Sequence, residues 1–303
     1  MKNKINLYWY RHNEGHGNFG DELNPYIINR ICNVEINYVN LEYLRSDKFL
    51  ALKILVYSLI RGKIKLNSFI NYIYMNFSSK SELFLAIGSI LQFCKTDKVT
   101  VWGSGMIASD SVLPNAKYLA VRGYKTVNRI LELGFKPPKY VGDPALLLPL
   151  IYISKKSKKY RVGIIPHHIH YDAYVGQFQE NILVINLLDK IEHIIDQINQ
   201  CELTISTSLH GIIVSHAYGV KSIWARENNK KLAGDDIKFP DYFTSVDLNE
   251  YSPIDIEKYT AMDSENIYFE IDSEYKNVLL PNKQKLEQIQ NNLLEVFPYK
   301  KAF

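Results

Sequence analysis

Cysteine is scarce in this chain, and its few cysteines lack the spacing of a known structural site. Only Cys32, Cys94 and Cys201 occur, an odd number without a C-x-x-C pair. This argues against a disulfide framework and against a cysteine zinc site, and it favours a reducing compartment. Zinc-finger, homeodomain and RNA-platform motifs are also missing, so nucleic acid is not an expected partner.

Long hydrophobic runs are equally missing. No apolar run reaches the roughly 20 residues that a membrane-spanning helix needs. The N-terminal stretch reaches Arg11 too soon for a signal-peptide core, so we expect a cytoplasmic protein. The Asp-x-Asp metal clamp of many nucleotide-sugar transferases is absent too, since Asp235 and Asp236 are adjacent. A metal-dependent glycosyltransferase of the single-domain type is therefore not expected.

Charge is spread unevenly along the chain. Seven Lys and Arg residues and one acid lie between Arg45 and Lys80, whereas thirteen acids and five lysines lie between Glu227 and Lys276. These stretches are either two solvated surfaces or, for the first, a basic face for anionic lipid or a diphosphate-linked sugar. The apolar segment Phe49–Ile60 has basic flanks, so it predicts a helix that packs on the first sheet or lies at the inner face of a membrane.

Short apolar runs alternate with helix-like segments, a pattern that predicts parallel sheets covered by helices on both faces. The predicted strands are Lys4–Tyr10, Val34–Tyr38, Leu83–Ile87, Val99–Trp102, Tyr118–Val121, Tyr160–Ile165, Ile182–Ile185, Leu203–Ser206 and Ser222–Trp224. The predicted helices are Asp21–Ile31, Phe49–Ile60, Ile64–Phe77, Tyr124–Leu133, Lys190–Asn199, Gly211–Tyr218 and Lys283–Val296.

A composition break rich in proline and lysine, between Pro137 and Lys159, predicts a linker between two domains. We expect a Rossmann-like domain over residues 1–150, with a helical insertion at about 45–80, and a second one over 159–280. Residues 281–303 then form a terminal helix that crosses back to the first domain. Two such α/β domains facing a cleft make a GT-B-like arrangement, with ligands beyond the carboxyl ends of the strands.

The segment 206–211 predicts an anion site. Three hydroxyl residues, Ser206, Thr207 and Ser208, end an apolar strand and precede His210, Gly211 and an apolar helix. A strand that leads through an N-cap into a helix leaves free backbone N–H groups and a positive helix end at the mouth of the sheet. His210 can bind a phosphate or carboxylate there or transfer a proton, or it can simply cap its own helix.

Two further segments carry candidate polar side chains at predicted strand ends. Arg122 either points a guanidinium into the cleft for an anion or makes a salt bridge between the domains. Asn18, Asp21 and Glu22 lie where the chain turns into the first helix. There Asp21 can accept a proton from a sugar hydroxyl and Asn18 can orient the sugar, or all three can serve as helix caps.

The remaining candidates are small or basic residues. Ser89 and Ser104 follow strands beside glycines and are read as cleft lining or as structural turns. His167 and His168 follow another strand and can face the cleft, but their surroundings lack the acids and thiols of a metal site. Lys238 can be a second phosphate ligand or an exposed side chain. No metal and no cofactor is expected.

The segment 206–211, Ser-Thr-Ser-Leu-His-Gly, resembles the signature of polysaccharide pyruvyl transferases, and other stretches resemble the family in the same order. They are Gly17–Pro25, Val101–Gly105, Val121–Gly123 and Gly142–Ala145. The resemblance implies a GT-B fold and transfer of pyruvate from phosphoenolpyruvate to a sugar as a cyclic ketal. It also implies a capsule or exopolysaccharide precursor, free or lipid-linked, as acceptor. The family's motif histidine, here His210, lies in the donor site, and its motif arginine corresponds to Arg122.

Two other functions remain compatible with the same patterns. One is a metal-independent GT-B glycosyltransferase that uses a nucleotide sugar, because a fold does not fix chemistry. The other is a module that binds a sugar or an anion without catalysis. Nothing in the sequence specifies an oligomeric state.

Overall fold

Two wholly parallel sheets and eleven α-helices form the part of the protein that the computed structural model describes, residues 4–11, 17–78 and 81–302. The strands are β1 (Lys4–Tyr8), β2 (Glu35–Tyr38), β3 (Leu83–Leu85), β4 (Val99–Trp102), β5 (Lys117–Val121), β6 (Tyr140–Val141), β7 (Tyr160–Ile165), β8 (Leu183–Val184), β9 (Cys201–Ser206), β10 (Lys221–Arg226) and β11 (Ile254–Asp255). The helices are α1 (Phe19–Cys32), α2 (Lys48–Ile60), α3 (Leu66–Phe77), α4 (Tyr124–Glu132), α5 (Leu148–Ile151), α6 (Tyr171–Tyr174), α7 (Ile191–Asn199), α8 (Leu209–Ala217), α9 (Lys238–Ser245), α10 (Ser264–Tyr275) and α11 (Lys283–Val296).

The two sheets share one strand order. The first runs β2-β1-β3-β4-β5-β6, and the second runs β8-β7-β9-β10-β11. In each sheet the order reverses between its first and third strands, that is, between β1 and β3 and between β7 and β9. Ligands of open α/β sheets bind beyond the carboxyl ends of strands at such a reversal. The predicted α/β class, with two Rossmann-like sheets in a GT-B-like arrangement, is confirmed.

The inner strands consist of apolar residues because helices cover both faces of each sheet. All four residues of β4 are buried, as are five of the six residues of β9. Strands of this kind show continuous apolar runs instead of alternation. The largest buried cluster extends across both halves of the molecule and contains Trp102, Leu146 and Ile213. The two halves therefore share one hydrophobic core.

The last helix, α11, lies against the first sheet. Trp102 donates its indole N–H to the carbonyl of Leu293 at 2.9 Å, and the Gln290 amide donates to the carbonyl of Leu146 at 2.8 Å. Gly142 passes so close to α11 that a Cβ there would lie 2.3 Å from Ile289. The C-terminal segment therefore fastens the first half of the chain.

Several elements differ from the sequence-based expectation, mostly at their ends. Strands β1, β3 and β8 are shorter than predicted, and β6 and β11, of two residues each, were not predicted. Two-residue edge strands carry too few side chains for a pattern. Part of the predicted linker is buried helix, since Pro144–Leu147 forms a 3-10 turn that leads directly into α5. No helix in the described ranges is both long and apolar enough to cross a bilayer.

Candidate functional site

A cavity of about 390 Å³ opens where the strand-order reversals of the two sheets face each other. Residues that follow β1 and β3, together with the start of α1, line it from the first half. Residues that follow β7 and β9, together with the start of α9, line it from the second half. The lining comprises Tyr10, Asn18, Asp21, Gly88, Ser89, Ile90, Phe93, Ile107, His167, His168, Ile169, Ser208, Leu209, His210, Leu232, Ala233 and Lys238. Its position is the one that the topology predicts for a ligand.

Two helix N-termini meet at this cavity. Helix α1 starts with a capping box in which Asp21 N–H donates to Asn18 Oδ1 and Asn18 N–H donates to Asp21 Oδ2, both at 3.2 Å. Helix α8 follows Ser208, whose side chain makes no capping hydrogen bond. Among the described residues, no side chain therefore accepts from the first amides of α8, and both positive helix ends favour an anion between them.

Asp21 lies in the cavity wall with an altered acidity. Its pKa is raised from 3.8 to about 7, mainly by burial and with a smaller contribution from the neighbouring Glu22. The backbone hydrogen bond from Asn18 and the nearby imidazole of His210 lower it again. A carboxyl group with this pKa holds or releases a proton near neutral pH, which a general acid or base requires.

His210 stands opposite a buried carboxylate. Its Nε2 lies 3.7 Å from Asp143 Oδ2, within ion-pair range but longer than a hydrogen bond. Neither atom has a hydrogen-bond partner among the described residues. Asp143 is fully buried, and its other oxygen, Oδ1, accepts the Ala145 N–H at 2.9 Å. A buried carboxylate facing Nε2 can orient the imidazole ring, as the carboxylate of a catalytic His–Asp pair does.

The ring of His210 packs directly on the backbone of α1. A Cβ at Gly20 would lie 2.1 Å from His210 Nδ1, an impossible contact. Only glycine therefore allows the imidazole to approach the start of α1, beside Asp21. The G-x-x-G pattern at 17–20 thus has a physical reason, which is the close approach of a side chain from the other half.

Lys238 supplies a cation to the same cavity. It lies at the start of α9 and makes no hydrogen bond or ion pair with any described residue. The pKa of Lys238 is lowered to about 8, and burial is the main cause. The negative Asp236 raises this pKa, whereas the positive Arg122 also lowers it. A desolvated ammonium group without a counter-ion gains most from an anionic ligand.

Arg122 does not point into the cleft, so that expectation is corrected. Its side chain is 1% exposed, and Nε donates to Asp241 Oδ2 at 2.9 Å. Its Nη1 donates to Ser89 Oγ at 2.6 Å and Nη2 to the carbonyl of Met106 at 2.8 Å. The structure shows the alternative reading, a salt bridge between the halves. Arg122 reaches the cavity only through Ser89, which lines it.

Five other predicted residues lie behind the cavity wall instead of in it. Glu22 holds the entrance to α1 by accepting Gly17 N–H at 2.8 Å. Ser206 turns the chain after β9 by accepting Ser208 N–H at 3.1 Å, and Gly211 packs against it. Ser104 is fully buried, and Thr207 accepts an N–H from His167 at 2.8 Å. These side chains shape the site without facing a ligand.

The rings of His167 and His168, which follow β7, lie side by side at a tilt and are not arranged around a common metal position. The rings of His167 and His168 lie 4.3 Å apart, and both residues line the cavity. His170 is buried, bonded through Nε2 to the Lys230 carbonyl at 2.6 Å, and burial lowers its pKa. Within the described ranges, no group of three His, Cys, Asp or Glu side chains could hold a metal ion.

Sequence reasoning missed Asp143 as a site residue. The Gly142–Ala145 stretch was noted only as part of a resemblance, and nothing local marks its aspartate as the neighbour of His210. That contact joins residues 67 positions apart across the two halves. Tyr10 was missed as well, because the predicted strand included it, whereas β1 ends at Tyr8 and Tyr10 follows it at the cavity.

Two α/β halves with a cleft between them form an architecture of the GT-B kind. A model of the polysaccharide pyruvyl transferase family matches residues 18–229, more than half of the sequence. The chain therefore belongs to the polysaccharide pyruvyl transferase family. The matched region contains every cavity-lining residue except Tyr10, Leu232, Ala233 and Lys238.

The curated proteins include one viral relative. The chain is 32% identical over 121 residues to the uncharacterized protein L143 of Acanthamoeba polyphaga mimivirus. That match covers 37% of this chain and 42% of the relative, so the chain spans less than half of the length of the relative it matches. No solved structure matches the chain.

Proposed function

We propose that the protein transfers pyruvate from phosphoenolpyruvate to a sugar of a polysaccharide or its precursor, forming a cyclic ketal. Family membership supports pyruvyl transfer onto polysaccharide as the general role. The observation that carries the proposal is the cavity itself, where two helix N-termini, Lys238 and His210 surround one space. A small trianion with a carboxylate and a phosphate satisfies such a site.

The proposed reaction balances without a redox partner. A proton adds to the methylene carbon of phosphoenolpyruvate, and a sugar hydroxyl forms a C–O bond to the central carbon while losing its proton. The C–O bond to phosphate then breaks, and a second hydroxyl closes the ring and loses its proton. One released proton restores the general acid and the other leaves with phosphate. A site for this reaction needs an acid, a base and an anion cradle.

We assign these roles to the residues of the cavity. Lys238 and the first amides of α8 hold the donor anion. His210, oriented by the Asp143 carboxylate, protonates the methylene carbon. Asp21, whose pKa is about 7, accepts the proton of the attacking hydroxyl. Ser89, oriented by Arg122, and Asn18 contact the substrates.

We propose a reducing compartment as the place of action. The three cysteines are free and buried, as expected of thiols that serve only as packing. No disulfide or metal chemistry is assigned to them.

The direct test is turnover with defined substrates. Incubation with phosphoenolpyruvate and a panel of hexose and hexosamine acceptors should release phosphate in proportion to a new ketal methyl signal in the proton NMR spectrum. The Asp143→Asn variant should bind phosphoenolpyruvate but release little phosphate. If the protein neither binds phosphoenolpyruvate nor produces the methyl signal with any acceptor, the proposal is wrong.

A nucleotide-sugar transferase is the second candidate, and one observation bears on it. A smaller cavity of about 240 Å³ lies beyond β9 and β10, with Glu227 in its wall. However, the Glu227 carboxylate already accepts the N–H groups of Asn229 and Lys230, both at 2.6 Å. Both oxygens of the Glu227 carboxylate therefore already accept hydrogen bonds from the backbone, which argues against its binding the hydroxyl groups of a ribose. Thermal stabilisation by nucleoside diphosphates but not by phosphoenolpyruvate would favour this second candidate.

A further inference from the structure

Helices α2 and α3 carry an unusually large exposed hydrophobic surface. Ten of the large hydrophobic side chains exposed in the described residues fall within this pair, and Phe49 and Ile60 are 88% and 79% exposed. We call this surface the α2–α3 face. Its members are Phe49, Leu50, Leu52, Val56, Tyr57, Ile60, Leu66, Ile70, Tyr74 and Phe77. Contiguous apolar surface of this kind marks an interaction site.

The fold leaves this face without a partner. Only Ala51, Leu55 and Ser58 of α2 are buried, and α3 buries Tyr72, Met75 and Asn76. The two helices pack mainly on each other and on the 3-10 turn Leu41–Tyr43. Leu55, Tyr72 and Met75 join the buried cluster of the first half, and the hydrophobic residues on the other side of the hairpin remain in solvent.

The charges around the face are of one sign. Lys48, Lys53, Arg61, Lys63 and Lys65 are all exposed, and none forms an ion pair with a described residue. The single acid within residues 45–78, Asp47, caps α2 by accepting Phe49 N–H at 2.9 Å and Leu50 N–H at 3.1 Å. The face thus combines apolar side chains, two tyrosines and an uncompensated basic fringe.

We propose that the α2–α3 face docks on an anionic lipid leaflet. The apolar side chains enter the acyl boundary, the tyrosines lie at the headgroup level, and the five cations attract anionic headgroups. A second copy of this chain is a poorer occupant. A twofold contact would bring the same cations together without an acid to pair with them.

The position of the face relative to the cleft gives the docking a consequence. The segment Asn40–Arg45, which leads into α2, lines a groove of about 640 Å³ together with Arg11 and Lys95. Tyr10 and Phe93 line both this groove and the cleft cavity. A leaflet bound at α2 and α3 therefore lies beside a basic groove that opens towards the site. The docking itself does not depend on the proposed reaction.

The test is vesicle flotation of the full chain, with phosphatidylcholine vesicles compared with an equal mixture of phosphatidylcholine and phosphatidylglycerol. We expect the protein to float with the mixed vesicles and to stay behind with the neutral ones, and added salt should weaken the binding. The double variant Phe49→Asp, Ile60→Asp should reduce the bound fraction more than tenfold. The charge variant Lys53→Glu, Lys63→Glu, Lys65→Glu should do the same.

The matched control is Phe269→Asp on α10, which is 76% exposed and lies among acidic residues. It should leave flotation unchanged, and thermal melts should show that all variants fold. Failure to float with mixed vesicles overturns the proposal, as does an equal loss in the control. A wild-type dimer that the Phe49→Asp, Ile60→Asp variant converts to monomer, with no vesicle binding by either, would identify a second copy as the occupant.

Discussion

The salt bridge of Arg122, behind the cleft, and the cleft itself differ in how completely their polar groups are hydrogen-bonded. Behind the cleft, the Arg122 guanidinium is paired with Asp241, Ser89 and Met106. Asp241 in turn accepts the N–H and the hydroxyl of Thr126, at 2.8 and 2.7 Å. Every charge there is compensated by the protein itself.

The cleft has the reverse arrangement. His210 Nε2 and Asp143 Oδ2 lack hydrogen bonds among the described residues, and Lys238 has neither an ion pair nor a hydrogen bond there. Polar groups whose hydrogen bonds are all made within the protein stabilise the fold. Buried polar groups without a partner cost folding free energy, and a ligand that bonds to them regains part of it. The comparison therefore supports the proposal that Arg122 stabilises the fold and that His210, Asp143 and Lys238 bind or act on a ligand.

The largest effect should come from breaking the Arg122 salt bridge. Arg122→Ala leaves the Asp241 carboxylate buried without its counter-charge, so we expect a loss of about 3–5 kcal/mol of unfolding free energy. Denaturant melts measure it. Arg30→Ala, which removes an exposed ion pair with Glu192, serves as the control and should cost less than about 1 kcal/mol. Equal melts for the two variants would show that the Arg122 salt bridge does not hold the halves together.

Removing a charge from the cleft should impair chemistry and leave the fold intact. Asp143→Asn removes the carboxylate that faces His210 Nε2, so kcat should fall by about 10²-fold or more, as typical for an impaired general acid. The melting temperature should stay near that of the wild type, because Asp143 Oδ2 has no hydrogen bond to lose. A variant with normal kcat would remove the His210–Asp143 pair from the mechanism.

The donor-binding cation should show its effect in affinity. Lys238→Met should weaken phosphoenolpyruvate binding by about 2–5 kcal/mol, because a desolvated charge partner is lost. In the protein without ligand the pKa of Lys238 is about 8. The affinity of the wild type for phosphoenolpyruvate should therefore fall as pH rises through 8. Lys238→Arg keeps its charge, so its affinity should stay level to higher pH. Parallel pH profiles for wild type and Lys238→Arg would contradict this assignment.

The smallest effect concerns the pH dependence of stability. Asp21 has a folded pKa of about 7 against 3.8 for the free side chain, so the folded state keeps a proton that the unfolded state releases. Its contribution to stability therefore decreases as pH rises from about 4 to about 7.

Asp21→Asn removes that penalty and keeps a capping oxygen. Its melting temperature should exceed that of the wild type at pH 8 by the equivalent of roughly 1–2 kcal/mol, allowing for partial exposure, and the gain should vanish near pH 4. Asp21→Ala, which loses the cap, separates the two effects. A gain independent of pH would mean that the carboxyl is not protonated in the fold.

Much of the architecture could be predicted from the sequence, because buried parallel strands and their helices leave long, regular patterns. Nine strands and seven helices were placed in nearly their observed positions, and the turn from β9 to α8 was identified from its hydroxyls and His-Gly pair. Of the four remaining helices, α5 and α6 are single turns of four residues, and α9 and α10 were missed. Helix α9 has only eight residues and contains Pro240, and α10 carries polar residues around most of its circumference.

The sequence predicted site residues only where their position just after a strand brings them to the ligand edge of the sheet. The predicted residues Asn18, Asp21, Ser89, His167, His168, Ser208, His210 and Lys238 line the cavity. A strand-end position predicts that a residue lies near the ligand edge, but not which partner reaches it from elsewhere. Arg122 meets Asp241 across 119 positions, and Asp143 meets His210 across 67. Tertiary packing decided both: it selected the salt-bridge alternative for Arg122 and gave Asp143 a partner that the sequence did not indicate.

The most direct test of the central claim, that unsatisfied groups in the cleft bind a phosphorylated carboxylate, is calorimetric titration with phosphoenolpyruvate at pH 8. Titrations in two buffers of different ionisation enthalpy report protons taken up on binding. We predict uptake of about half a proton per bound molecule, as Lys238 regains its charge, and a much smaller uptake by Lys238→Arg. No binding by the wild type, or equally tight binding by Lys238→Met, would contradict the account.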